Sequence, residues 1–233
     1  MIATRTLTDQ TSGDPFFSNV SLLLHMDGTN GSTTFTDSSS NGLTVTATAA
    51  TTSTTNAKSG FGQVYTPSSA STSKLSINYA TVLNFATGDF TFEGWIYPTA
   101  STGVFGIYST SGGSGSNRKF VVHLNNLTPS IHYNTLTNGN NIYTAANSSV
   151  PVNDWSYIAF IRNGSNWTWY INGTAAGTGS NSTDLTFTTE STYVGYGGES
   201  YFAPFVGNLD DIRLTKGTAR TITSTPTGPF PNS

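Results

Sequence analysis

Residues 155–173 read WSYIAFIRNGSNWTWYING, and their two faces decide the fold. Side chains alternate across an extended chain. Trp155, Tyr157, Ala159 and Ile161 therefore share one face, with Ser156, Ile158, Phe160 and Arg162 on the other. The stretch Asn163–Asn166 supplies a turn, after which Trp167, Trp169 and Ile171 stand opposite Thr168 and Tyr170. Large apolar groups occupy both faces of both strands. A hairpin of this kind must be covered twice, by two packed sheets or by one sheet and a long loop. The expected architecture is a sandwich.

Working outward, further strand signals are SLLLHM (21–26), FTFEGWIY (90–97), VFGIY (104–108), KFVVHL (119–124), TYVGY (192–196) and FVGNLDDIRL (205–214). Turn residues separate them, including Asn138-Gly139, Asn163-Gly164 and Asn172-Gly173. No segment holds a helical apolar stripe over three turns, and no fixed-period repeat suggests a propeller or solenoid. The expected organisation is an N-terminal arm over 1–18, one all-β domain over 19–220 and a Pro-rich tail over 221–233. The glycine cluster at 111–117 opens no helix and reads as a loop rather than a phosphate cradle.

The 233 residues carry 9 basic and 12 acidic side chains, and only 9% are charged. Coiled coils and a basic stripe for nucleic acid are excluded by those numbers. Apolar residues amount to 35%, yet 12% of the chain is aromatic, so few but large side chains can build the core. Without cysteine there are no disulfides, thiolate metal sites or cysteine nucleophiles. No run reaches the length of a membrane span, and the first residues lack a signal-peptide core. Membrane insertion and secretion by a signal peptide are not expected.

Four pieces in order, SLLLHMDGTNGSTTFTDSS, GDFTFEGWIYP, WSYIAFIRNGSNWTWYINGTAAG and FVGNLDDIRLTKGTAR, resemble the laminin-G-like members of the concanavalin A-like lectin/glucanase superfamily. The resemblance implies an antiparallel two-sheet jelly roll over about residues 20–220. The closing strand, with a Pro-rich tail after it, resembles versions in bacteriophage virion proteins. A non-enzymatic virion component is therefore expected, a capsid-surface decoration or fibre-type protein at the particle surface. Its partners would be other virion subunits or further copies of itself. The alternative is a lectin module that recognises a host-surface glycan, because one fold hosts many functions.

Three groups of candidate residues follow. A glycosidase needs two facing carboxylates. The chain has only Glu93, Glu190 and Glu199 as glutamates and no Glu-x-Asp-x-Glu run, so no catalytic residue is expected. In many superfamily members a structural cation ties the opening to the closing strand. Asp27 and Asp210 match those positions as calcium ligands, with Asn30, Gly31 and Asp37 nearby. Asp27 and Asp37 could equally make Asx turns, and Asp210 could pair with Arg213 or Arg162. For glycan or partner contact, the loop GYGGESYFAP (195–204) offers Tyr196, Tyr201 and Phe202, while Trp95 and Trp155 read as core. His25, His123 and His132 read as structural or surface residues. Phe16 and Phe17 in the arm and Phe230 in the tail are the apolar anchors expected to contact a neighbouring subunit, unless both ends fold back on their own sandwich.

Overall fold

The computed structural model describes residues 13–112, 119–134 and 142–233. The arm before residue 13, most of the glycine cluster and the Asn138-Gly139 turn lie outside the described residues. In chain order the strands are β1 (Val20–Leu24), β2 (Thr46–Thr48), β3 (Ala50–Ser53), β4 (Val64–Pro67), β5 (Lys74–Ile77), β6 (Phe90–Pro98), β7 (Val104–Ser111) and β8 (Lys119–Asn125). There follow β9 (Thr128–Asn134), β10 (Ile142–Ala145), β11 (Ser156–Asn163), β12 (Asn166–Ile171), β13 (Thr174–Ser180), β14 (Ser191–Val194), β15 (Ala203–Pro204) and β16 (Gly207–Lys216).

They form two sheets. The back sheet runs β13-β12-β11-β6-β16-β4-β3, with β1 also paired to β16. The front sheet runs β10-β9-β8-β7-β14-β5-β2, with the short β15 parallel to β7. All other pairings are antiparallel among the described residues, as in a jelly roll. The hairpin β11–β12 turns at Gly164, whose φ of +58° suits a two-residue connection. The next turn, Asn172-Gly173, has φ of +48° and +78°, the two positive values a type I′ turn requires.

Both faces of the decisive hairpin are covered, by different means. Ile158, Phe160, Trp167 and Trp169 lie between the sheets with Phe85, Phe90, Phe92 and Phe120. Their rings interlock: Phe90 stacks on Phe85 at 4.4 Å, and Phe160 meets Trp169 at 4.9 Å. Tyr157 and Ala159 point outward into a second cluster with Val20, Leu23, Phe61, Trp95 and Phe230. Trp155 was expected in the core; it is half-buried at the margin of this cluster, where its Nε1 donates to the Asn56 carbonyl at 2.9 Å.

The outer cluster is roofed by the segment around Asp14–Phe17 and by the C-terminal tail. Asp14 accepts from Arg213 at 2.9 Å and from the Arg220 guanidinium at 2.9 and 2.6 Å. Glu93, 1% exposed on the central strand β6, accepts from Arg213 Nε at 3.0 Å and from the Tyr157 hydroxyl at 2.5 Å. The Phe230 ring lies 3.7 Å from the Arg213 guanidinium, and its backbone N–H donates to Asp211 at 2.7 Å. Residues 13–19 and the tail thus pack on this sandwich. Phe230 is 5% exposed and Phe17 is packed against the outer cluster, so both rings are engaged with their own domain. Only Phe16, 42% exposed, keeps an open ring among the three.

Burial by itself would raise the Asp14 pKa. The Arg220 hydrogen bond, the Phe16 N–H and the two guanidinium charges outweigh it and hold the carboxyl below its ordinary value. A depressed folded pKa stabilises above the unfolded value, about 3.9, and that contribution is lost as pH falls through the folded one. Thermal melts between pH 3 and 6 should thus show a falling acid limb that Asp14→Asn flattens. Parallel curves for the two proteins would place the acid sensitivity elsewhere.

Candidate functional site

With the back sheet covered by the Asp14–Phe17 segment and the tail, the candidate site is sought on the front sheet. Strand alternation sends Leu75, Ile77, Val194, Phe120, Val122 and Ile131 into the core. A row of outward residues then crosses the sheet: Ser76, Tyr193, Ser109, Val121 and His132 lie opposite one another on β5, β14, β7, β8 and β9. Ser109 and Val121 are nevertheless fully buried. The cover is the 195–204 loop, whose ends are tied by the Phe205 N–H to the Gly195 carbonyl at 2.8 Å.

Glycine lets this loop lie flat. A Cβ at Gly106 of β7 would overlap the backbone of Gly197, and one at Gly198 would stand 2.5 Å from the Ser111 Cβ. Ser109 Oγ donates to the Tyr196 carbonyl at 3.0 Å and fixes the loop's start. Phe202 plugs beneath it, 1% exposed, with its ring 4.8 Å from His123 and 5.1 Å from His132. Burial pushes the His123 pKa down to about 4, so the ring is neutral at physiological pH and serves as packing.

The loop trio therefore divides. Tyr201 sits on top of Phe202, edge to face at 4.9 Å, and is 66% exposed. Tyr196 is half-buried and meets Tyr193 at 5.8 Å and 74°. Phe202 was expected to touch ligand; its burial makes it the loop's anchor instead. Sequence reading passed over Tyr193 and Lys74, although alternation in TYVGY and KLSI already points both outward. Lys74 Nζ stands 5.5 Å from the Tyr193 ring and 5.4 Å from the Tyr196 ring.

The closing-strand carboxylates form a second location. A register shift between Asp210 and Arg213, with Asp211 at φ +48°, buries both neighbouring aspartates, at 0% and 1% exposure. Asp211 is fully engaged, by His25 Nδ1 at 2.6 Å and the Phe230 N–H. Among the described residues Asp210 has no side-chain hydrogen-bond partner, and it pairs with neither Arg213 nor Arg162. Burial first, and then the charge of Asp211, push its pKa up to about 9; the charge of Asp27 adds to this, while the Asp211 backbone N–H and the charge of Lys58 oppose it. Asp27 is exposed and accepts from the Gln63 N–H at 3.0 Å. Asp37 is taken up by four donors, the N–H groups of Leu23, Ser39 and Leu43 and the Ser39 hydroxyl, and so organises its own loop. Asn30 accepts from Thr54 in the same way. No group of three or more metal-binding His, Asp or Glu side chains occurs among the described residues.

Residues 68–221 match the Laminin_G_3 family model, described as the concanavalin A-like lectin/glucanases superfamily. No curated protein sequence matches the chain. Among solved structures, domain 4 of AbnA, an extracellular arabinanase from Geobacillus stearothermophilus in complex with arabinotriose, is similar at TM-score 0.62 and 15% identity. The match covers 87% of this chain and 95% of that one. The binding domain of Paraclostridial Mosquitocidal Protein 1 is similar at TM-score 0.63 and 14% identity, over 88% of this chain and 51% of that one. The botulinum neurotoxin serotype G binding domain gives 0.62 and 15%, over 88% and 49%. This chain spans about half the length of those toxin domains. At such identities the likeness establishes fold alone, while the family match runs from the end of β4 to just past β16. With both sheets in place around that stretch, the chain belongs to the concanavalin A-like lectin/glucanases superfamily.

Proposed function

We propose that the chain is a non-enzymatic, lectin-like binding module whose ligand is a glycan, bound on the front sheet beside the 195–204 loop. The observation that carries this reading is the division of that loop into a buried anchor, Phe202, and an exposed ring, Tyr201. An aromatic face on a fixed base is what a pyranose ring stacks upon, and the rigid base limits the entropy lost on binding. Catalysis finds no support in the carboxylates. Glu93 is buried under two arginines and a tyrosine, and Glu190 caps its own turn through the Thr188 and Thr189 N–H groups. The AbnA domain was solved with arabinotriose, which agrees with sugar binding on this fold.

The test is a paired substitution. Tyr201→Ala should abolish or strongly weaken glycan binding with little change in melting. Phe202→Ala should cost about 3 kcal/mol or more of stability, because it empties a packed site, and should lose binding as a consequence. Unchanged binding by a folded Tyr201→Ala variant would reject the loop as the contact.

A structural calcium is proposed as the second element. Asp210 fits it: a buried carboxyl without a side-chain partner among the described residues wants a hard cation, and Asp27 is its acidic neighbour from the opening segment. The ion would supply counter-charge there and tie the chain after β1 to β16. Saturating calcium should raise the melting temperature by about 5–10 °C, and Asp210→Asn should remove that response while melting normally in chelator. Identical melts with calcium and with chelator would dispose of the metal.

The setting we propose is the surface of a phage particle, from the likeness of the closing strand and tail to those of virion proteins. There the open Phe16 ring would contact other subunits or a second copy. Mass spectrometry of purified virions checks it, and absence of the protein from them would overturn it.

A further inference from the structure

We infer that the front-sheet site selects glycans that carry a carboxylate, through Lys74. This rests on the lectin-like reading above and names the ligand class within it. Lys74 stands on β5, paired with Thr48 of the edge strand β2 and next to β14. Its ammonium is held between two tyrosine rings, 5.5 Å from the Tyr193 centroid and 5.4 Å from that of Tyr196. It forms no ion pair with a described carboxylate.

That arrangement is unlike the other cations in contact with rings. Arg213 and Arg220 neutralise Glu93 and Asp14, and Arg162 is engaged by the Ala86, Thr183 and Gly164 carbonyls. Lys58 lies 4.0 Å over Trp95 and 4.8 Å from the Phe61 ring, at the outer cluster of the back sheet. Lys74 alone among these brings its positive charge to the outward face of the front sheet, beside two tyrosine rings. Tyr193, Tyr196 and Lys74 itself are half-buried, so a ligand reaching them leaves part of its water behind. In such a place a charge-assisted hydrogen bond is stronger than a neutral one. A pyranose ring against Tyr196 or Tyr193 with its carboxylate toward Nζ satisfies both features at once. A neutral sugar would use the rings and leave the ammonium unanswered.

One acidic group opposes this. The Glu199 charge, after burial and the charge of Tyr193, helps raise the Tyr196 pKa, so it lies close enough to repel an acidic ligand.

The experiment applies the whole chain to an array of immobilised neutral, uronate-bearing and sialylated oligosaccharides, followed by titration calorimetry on the strongest hits. The expected result is binding to carboxylate-bearing glycans, weakened roughly tenfold by Lys74→Gln and by methyl esterification of the sugar. It should also weaken as salt rises from about 50 to 300 mM, as a partly solvated ion pair must. Matching melts for wild type and variant show that the fold is intact. Neutral hits alone would overturn this inference and leave the lectin-like reading standing. Acidic hits indifferent to Lys74→Gln would also overturn it, since the carboxylate would then be read elsewhere. If the array is blank, both readings fall.

Discussion

A carboxylate buried in the middle of a sheet must be neutralised, and the way Glu93 is neutralised organises everything on the back of this molecule. A lone charge there would be costly enough to unfold or reorganise a domain. Arg213 reaches it from β16 and Tyr157 from β11, while Arg220 approaches from the segment after β16. The two arginines together carry more positive charge than Glu93 can answer, and Asp14 from the arm completes the balance. Four separate parts of the chain are thus joined through one acidic oxygen pair. Phe230 then lies flat on the Arg213 guanidinium and shields the network from water. The tail continues to His25, whose Nε2 meets Asn232 at 2.6 Å, and Asp14 N–H donates to the Ser233 carbonyl at 2.6 Å.

The outcome is a sandwich whose two outer faces differ in kind. The back is closed by charge neutralisation and a cap of apolar side chains. Such a face is specific but inert, since reaching Glu93 would require stripping both chain ends away. The front is covered only in part, by one loop resting on backbone and small side chains, and its remaining surface is hydroxyls, rings and a lysine. Arg213 and Arg220, two of the chain's few cations, are consumed in holding the back.

The strand pattern was largely legible because its period is two. Residues 155–171 placed Tyr157 and Phe160 on opposite faces, and both are buried where alternation put them. What covers the outer face was not legible, because Asp14 and Arg213 are 199 positions apart and share no local pattern. Two further features follow from no local pattern. The Thr/Ala/Ser tract around 44–59 contains β2 and β3 in different sheets, a split that no periodicity announces. Consecutive aspartates should leave opposite faces of a regular strand, but the irregularity at Asp211 buries both. Within the site, the loop was found from its Gly and aromatic content. Which of its rings faces water depended on the floor beneath it, and that floor comes from three strands distant in sequence. Lys74, sitting in an unremarkable KLSI, carried no composition signal at all.

The close seating of Gly197 and Gly198 on β7 has an evolutionary consequence. A side chain at Gly106 would lift the loop and one at Gly197 would collide with Phe202, so the base tolerates almost no change. Tyr201, pointing away from it, is bound by no such restriction. Substitutions at the tip can accumulate without disturbing folding, so the outward surface of the loop can change while its frame stays fixed. A lineage under pressure to follow a changing surface would find its freedom concentrated in a handful of codons.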